Sequence, residues 1–119
     1  MSIEDVTEEI NRFASERDWD QFHTPKNIAS SISIEAAELL ECFQWSDPTV
    51  PDVLVDEELL GSVEEEIADI LLYALRLCSI LDLDAIDVME KKLEKNEDKY
   101  PVNTSKGNAI KYDHLSDAS

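Results

Sequence analysis

Residues 31–45, SISIEAAELLECFQW, and residues 64–77, EEEIADILLYALRL, decide the fold. In both stretches apolar residues recur at the three-and-four spacing of an α-helix rather than the alternation of a half-buried strand. The whole chain of 119 residues holds only two glycines and four prolines, so little interrupts such helices and the reading is all-α. Acidic side chains then fall into register. Glu35, Glu38 and Glu41 recur every third residue on the first stretch, and Glu66 and Asp69 repeat that spacing on the second. Residues three apart are neighbours on a helix surface, so Glu38 with Glu41, and Glu66 with Asp69, can each grip one ion. Four carboxylates from two helices suit Mg²⁺, with Mn²⁺ the alternative: Mg²⁺ takes oxygen ligands, keeps several waters and is usually completed by substrate phosphates. Read alone, each of these acids is an ordinary solvated position. As pairs beside apolar faces, they read as a metal site.

The rest of the chain extends this pattern to a four-helix protomer. Ser2 and Asp5 form a capping pair ahead of the stripe Ile3, Val6, Ile10 and Phe13, so a first helix is expected from about residue 3 to about residue 17. Thr24 and Pro25 open a second helix that should run to about Trp45, where SDPTVPD breaks it. Asp56 caps the third, with room for a short separate turn before Gly61, and this helix should reach about Leu81. A fourth, from about Asp84 to about Lys99, shows Ile86, Met89 and Leu93 on one face and ends before Tyr100-Pro101. Residues 1–101 thus form one helical domain and 102–119 an irregular tail. In the third helix Ile67, Ile70, Ala74 and Leu77 share a broad face while Leu72 and Leu75 lie opposite, so it is apolar nearly all round. One short protomer cannot cover such a helix, and a dimer or larger homo-oligomer is expected.

Charge and motif content exclude several classes. A net charge of -18 and a pI near 4.1 are incompatible with a surface that grips nucleic acid or an anionic membrane through phosphate. No stretch approaches the roughly 18 apolar residues of a membrane span, and MSIEDVTEEI lacks a signal peptide's regions, so a cytoplasmic location is expected. Cys42 and Cys78 show no metal spacing and read as free thiols. Neither His23 nor His114 follows a glutamate by three residues, which disfavours a di-iron carboxylate site. No Walker A loop or nucleophile motif is present.

Two further groups carry chemistry. Six of the ten basic residues lie in the last third of the chain, where Lys92, Asn96 and Tyr100 recur at intervals of four, flanked by Lys95 and Lys99. That face can clamp phosphate, although any single lysine there also serves helix solubility. Ahead of the carboxylate helix, Trp19, Phe22, His23 and Asn27 gather aromatic and amide groups able to stack on and hydrogen-bond a nucleobase. Trp45 falls on the carboxylate side of its helix, beyond Glu38. Taken alone, Trp19 and Phe22 read as core anchors.

With these residues assembled, RDWDQFHTPKN at 17–27, EAAELLECFQW at 35–45, EEIADILLYAL at 65–75 and KKLEKNEDKYPV at 91–102 together resemble the MazG-type nucleoside triphosphate pyrophosphohydrolases of the small single-domain kind that includes dCTP pyrophosphatases. The resemblance implies an all-α dimer or tetramer that converts a dNTP, dCTP or a modified dCTP foremost, to dNMP and pyrophosphate as nucleotide-pool house-cleaning. It maps metal ligands onto Glu38, Glu41, Glu66 and Asp69. Base and sugar contacts map onto His23, Asn27, Trp45, Tyr73 and Asn96, and phosphate contacts onto Lys92, Lys99 and Tyr100. Glu35 is then the candidate to position or deprotonate the attacking water. Two rivals stand beside this reading: a related phosphohydrolase acting on dUTP or phosphoribosyl-ATP, and a non-catalytic helical module whose acidic face binds a basic partner.

Overall fold

The computed structural model describes residues 1–110, and these are helical with no strand among them. They fall into two compact units divided after Asp82. The first unit holds α1 (Ile3–Glu16), a single 3₁₀ turn (Asp20–Phe22), α2 (Pro25–Glu41), α3 (Val50–Val55) and α4 (Glu57–Ile80). The second holds α5 (Ala85–Lys99) and a one-turn helix, α6 (Val102–Ser105).

Side-chain caps set the helix starts. Ser2 Oγ accepts from the Asp5 amide at 3.1 Å while Asp5 Oδ2 accepts from the Ser2 amide at 2.9 Å, a closed capping box. Hydrogen bonding from Ser2, its backbone amide first and its side chain second, holds the Asp5 carboxyl below its ordinary value. Thr24 Oγ1 accepts from the Asn27 amide at 3.2 Å, with Pro25 in the first turn where a missing N–H costs nothing. Asp56 and Asp84 cap α4 and α5 through the amides of Leu59 and Asp87. Asp18 and Asp82, the residues that turn the chain out of α1 and α4, have φ of 55°. Aspartate enters this left-handed region more readily than most residues.

Three boundaries depart from the sequence reading. Helix α2 stops at Glu41 rather than Trp45, because the amides of Cys42, Phe43 and Gln44 bond three residues back, at 3.0–3.2 Å, and tighten the chain into a turn. Residues 50–55, the first three of which belong to the segment SDPTVPD read as a breaker, form α3: Thr49 and Asp52 make a second capping box, and Pro51 sits in the first turn, where helices accept it. Helix α4 is continuous through Gly61 with no separate opening turn. Of the expected irregular tail, Val102–Ser105 is helical, and residues 111–119, with Lys111 and His114, lie outside the described residues.

Within the first unit α4 is the central element, packing against α1, α2 and α3. Ala14 and Ile28, each 1% exposed, are the fully enclosed apolar side chains, whereas Leu40 and Leu71 are 70% and 57% exposed. The enclosed core is therefore small, and Ile28 in the first turn of α2 carries a large share of it. Ile28→Ala should destabilise the fold by about 2–4 kcal/mol through lost burial and an unfilled cavity. Urea unfolding monitored by helicity measures this, and a loss under about 1 kcal/mol would show that the site collapses around the smaller side chain.

Candidate active site

Packing α2 against α4 brings carboxylates together. Oxygens of Glu35, Glu38 and Glu66 all lie within 4.8 Å of one another. Glu35 Oε2 and Glu66 Oε2 are buried and have no hydrogen-bond partner. Buried polar atoms are ordinarily satisfied, so two orphaned carboxylate oxygens in one carboxylate cluster need either shared protons or a cation. All three carboxyls are held above the ordinary value of 4.5. For Glu35 the main cause is its contact with Glu66, opposed by Glu38 and reinforced by burial and the charge of Asp69. Glu38 is raised first by its contact with Glu35, and the charges of Glu35 and Glu41 add to this. Contact with Glu35 pulls Glu66 down, but burial, the contact with Glu38 and the charges of Glu38 and Asp69 outweigh it.

This constellation includes Glu35 and leaves Glu41 outside. Each three-residue step along a helix rotates by about 60°, so Glu41 stands about 120° from Glu35; it is exposed and acts on the cluster only as a nearby charge. Asp69 contributes no oxygen to the set but adds its field to Glu35 and Glu66. A group of three hard oxygen donors, two of them on carboxylates with an unsatisfied buried oxygen, fits a divalent cation of the Mg²⁺ or Ca²⁺ type better than a nitrogen- or sulfur-seeking metal.

Beside it, α1, the residues flanking the 3₁₀ turn and α4 line an open cavity of about 500 Å³, within the range of small-ligand sites. Trp19, His23, Tyr73 and Asp69 line it, so Asp69 borders the cavity and also acts electrostatically on the carboxylate cluster. Its aromatic wall is built in sequence: Phe13 and Trp19 meet edge-on with centroids 5.6 Å apart, and Trp19 tilts against His23 at 6.3 Å. Arg17 lies 3.6 Å over the Phe13 ring. All three arginines of this acidic chain, Arg12, Arg17 and Arg76, line the same cavity.

Arg76 escaped the sequence reading. It is 7% exposed, and its guanidinium donates from Nε to His23 Nδ1 at 3.1 Å, from Nη1 to Asn11 Oδ1 at 2.7 Å, and from Nη2 to Asp20 Oδ1. Asn11 Nδ2 in turn donates to Ser79 Oγ at 2.8 Å. The available signal was its isolation: Arg76 is the only basic residue between Ile67 and Leu81. Burial, then the Arg76 charge, lowers the His23 pKa against an opposing pull from Asp20.

Within the first unit, Asn27 and Trp45 do not line this cavity. Asn27 donates its side-chain amide to the Phe22 carbonyl at 2.9 Å and so closes the loop before α2. Trp45 is 89% exposed in the turn after α2. Lys92, Asn96 and Lys99 lie along α5, with Tyr100 at its C-terminal cap, in the second unit.

Comparison with known proteins agrees with this architecture. Residues 30–115 match the model of the MazG-like family. Mouse dCTP pyrophosphatase 1 is 35% identical over 115 residues, covering 96% of this chain and 68% of the mouse protein, and the human protein of that name is 30% identical over the same shares. The crystal structure of a pyrophosphatase from Archaeoglobus fulgidus superposes with a TM-score of 0.74 at 48% identity, covering 82% of this chain and 91% of that one. The chain belongs to the MazG-like family and is a small nucleoside triphosphate pyrophosphatase, a hydrolase of phosphoanhydride bonds.

The raised carboxyls make a stability prediction. A carboxyl whose pKa is higher folded than unfolded contributes stability that is present below the unfolded value and lost as pH rises through the folded one. In chelator, the protein should therefore lose stability as pH rises above about 4.5 toward neutrality, and Glu35→Gln should lose less of it. Thermal melting of the two proteins across that interval checks this; parallel curves would show that the cluster does not repel itself.

Proposed function

We propose that this chain hydrolyses a deoxynucleoside triphosphate, dCTP or a modified dCTP foremost, between the α and β phosphates to give the monophosphate and pyrophosphate, acting in the cytoplasm. The observation that carries the proposal is the Glu35, Glu38 and Glu66 cluster with its two orphaned oxygens. These residues, with Asp69 adjoining, would hold Mg²⁺, which keeps waters and accepts phosphate oxygens in its remaining positions. The chemistry supplied by a bound divalent cation is neutralisation of phosphate charge and acidification of the attacking water. Glu35 then acts as a ligand rather than as a base, because its carboxylate is packed against Glu38 and Glu66.

The nucleobase belongs in the neighbouring cavity, where Trp19, His23 and Tyr73 offer aromatic surface; one base–aromatic stack is worth about 1–3 kcal/mol. Asp69 lines that cavity and acts on the cluster, so a triphosphate extending from the base would run toward the carboxylates. The name of the mammalian relatives, dCTP pyrophosphatase 1, supports cytosine as the base. Pyrophosphate release measured over a panel of triphosphates with Mg²⁺ tests the proposal. A deoxycytidine triphosphate should lead, the diphosphate should be poor, and Glu38→Gln or Glu66→Gln should cost about 100-fold or more in kcat at unchanged helicity. Near-normal Mg²⁺-dependent rates in both variants would refute the ligand set.

Assembly as a homodimer, or as a tetramer of two dimers, completes the proposal. Leu40 and Leu71 are exposed on α2 and α4 although both are large and apolar. In a monomer Leu71→Glu would be a surface change within about 0.5 kcal/mol. In an oligomer that covers this face it should dissociate or unfold the protein by burying an unpaired charge. Sedimentation of the two proteins separates the cases, and an unmodified protein that is a stable monomer would defeat the assembly.

A further inference from the structure

The geometry points to Arg76 as a positioning residue that fixes His23 with its proton on Nε2, so that the ring meets the nucleobase as a hydrogen-bond donor toward a carbonyl oxygen or an unprotonated ring nitrogen. The substrate part of this inference rests on the pyrophosphohydrolase reading; the tautomer does not.

Arginine has only donors and stays charged in proteins. Because Arg76 Nε donates to His23 Nδ1 at 3.1 Å, that nitrogen must carry a lone pair, and the neutral ring must place its proton on Nε2. Nε2 has no protein partner among the described residues, and His23 lines the cavity. The guanidinium cannot turn away to accommodate the other tautomer. Its Nη1 is held by Asn11 of α1, which is itself tied to Ser79, and its Nη2 by Asp20 of the 3₁₀ turn. Three segments therefore converge on one buried cation whose remaining direction is the imidazole. Doubly protonated imidazole would set a second cation against Arg76, a cost that Asp20 only partly offsets. The other charged groups lining the cavity are Glu9, Glu16 and Asp69, with Arg12 and Arg17.

Nitrogen-15 NMR of the ring in the substrate-free protein reads the tautomer directly, with His23→Ala to assign the signal. The expected spectrum at neutral pH shows a protonated Nε2 and an acceptor-like Nδ1. A ring protonated on Nδ1, or on both nitrogens, would overturn the inference whether or not any triphosphate is hydrolysed. Kinetics supply the second arm. Losing one oriented hydrogen bond should raise KM for the preferred triphosphate by roughly three- to tenfold in Arg76→Met, with kcat within about twofold. Arg76→Lys, which keeps the charge but not the fork, should show the same KM defect. Each change should add nothing in a His23→Ala background, since there is no ring left to orient. An equal KM penalty in both backgrounds would mean that Arg76 is structural only and would sink its positioning role. Should Arg76→Met fail to fold, Arg76→Lys and the spectrum of the unmodified protein still decide the matter.

Discussion

Like charges forced together between α2 and α4 are the constraint around which the first unit is organised. Glu35, Glu38 and Glu66 place carboxylate oxygens within 4.8 Å of one another, and Glu35 Oε2 and Glu66 Oε2 are buried with no hydrogen-bond partner. Carboxylates in water would separate. Here they cannot, because α4 packs against α1, α2 and α3 and the backbone that carries them is committed by that packing. The repulsion is thus a property of the folded chain, visible as raised carboxyl pKa values. A divalent cation bound there would convert the same arrangement from a cost into an attraction, coupling binding to stability.

A second pole of opposite sign lies along the same helix. Glu66, Asp69, Tyr73 and Arg76 advance along α4 by three, four and three residues, so they share one side of it. That side therefore runs from carboxylate cluster to aromatic cavity to buried guanidinium. In a chain of net charge -18 all three arginines border one cavity, which keeps that region less negative than the surface around it. A polyanionic ligand with an uncharged base could lie along this gradient, its phosphates answered by metal and its base by aromatic rings and directed donors.

The sequence made the helices and the chemistry of the cluster legible, because spacing of three along a helix is a local property. Which of three equally spaced glutamates on α2 would meet Glu66 is not local. It depends on the rotation of α2 about its axis: the apolar positions Ile32, Ala36, Leu39, Leu40 and Phe43 span about 100°, and in the packed helix Ala36 and Leu40 at one edge of that arc are exposed, which turns Glu35 at the other edge inward. Glu35 therefore read as a base and Glu41 as a ligand, whereas the packed pair brings Glu35 into the set and leaves Glu41 exposed. Proline density concealed α3 for a related reason: Pro48 and Pro51 read as breakers, although the Thr49–Asp52 box puts Pro51 where a helix tolerates it. Arg76 was hidden inside an apolar run whose periodicity it did not disturb, since its partners Asn11, Asp20 and His23 come from distant segments.

The exposed apolar surface follows from the same geometry. On an α-helix, Leu40 lies two positions past Glu38 and Leu71 two past Asp69, so each stands roughly opposite the carboxylates of its own helix. Helices α2 and α4 turn their acids toward one another, and their outward-facing leucines are left 70% and 57% exposed. Moving those leucines inward would require rotating both helices and would take the cluster apart. Apolar area on the outside is in this sense a consequence of acids on the inside, and covering it with a second copy would stabilise the helix pair without altering the acid-lined face. Coupling of this kind would let a unit with two fully enclosed apolar residues among those described hold three carboxylates close together.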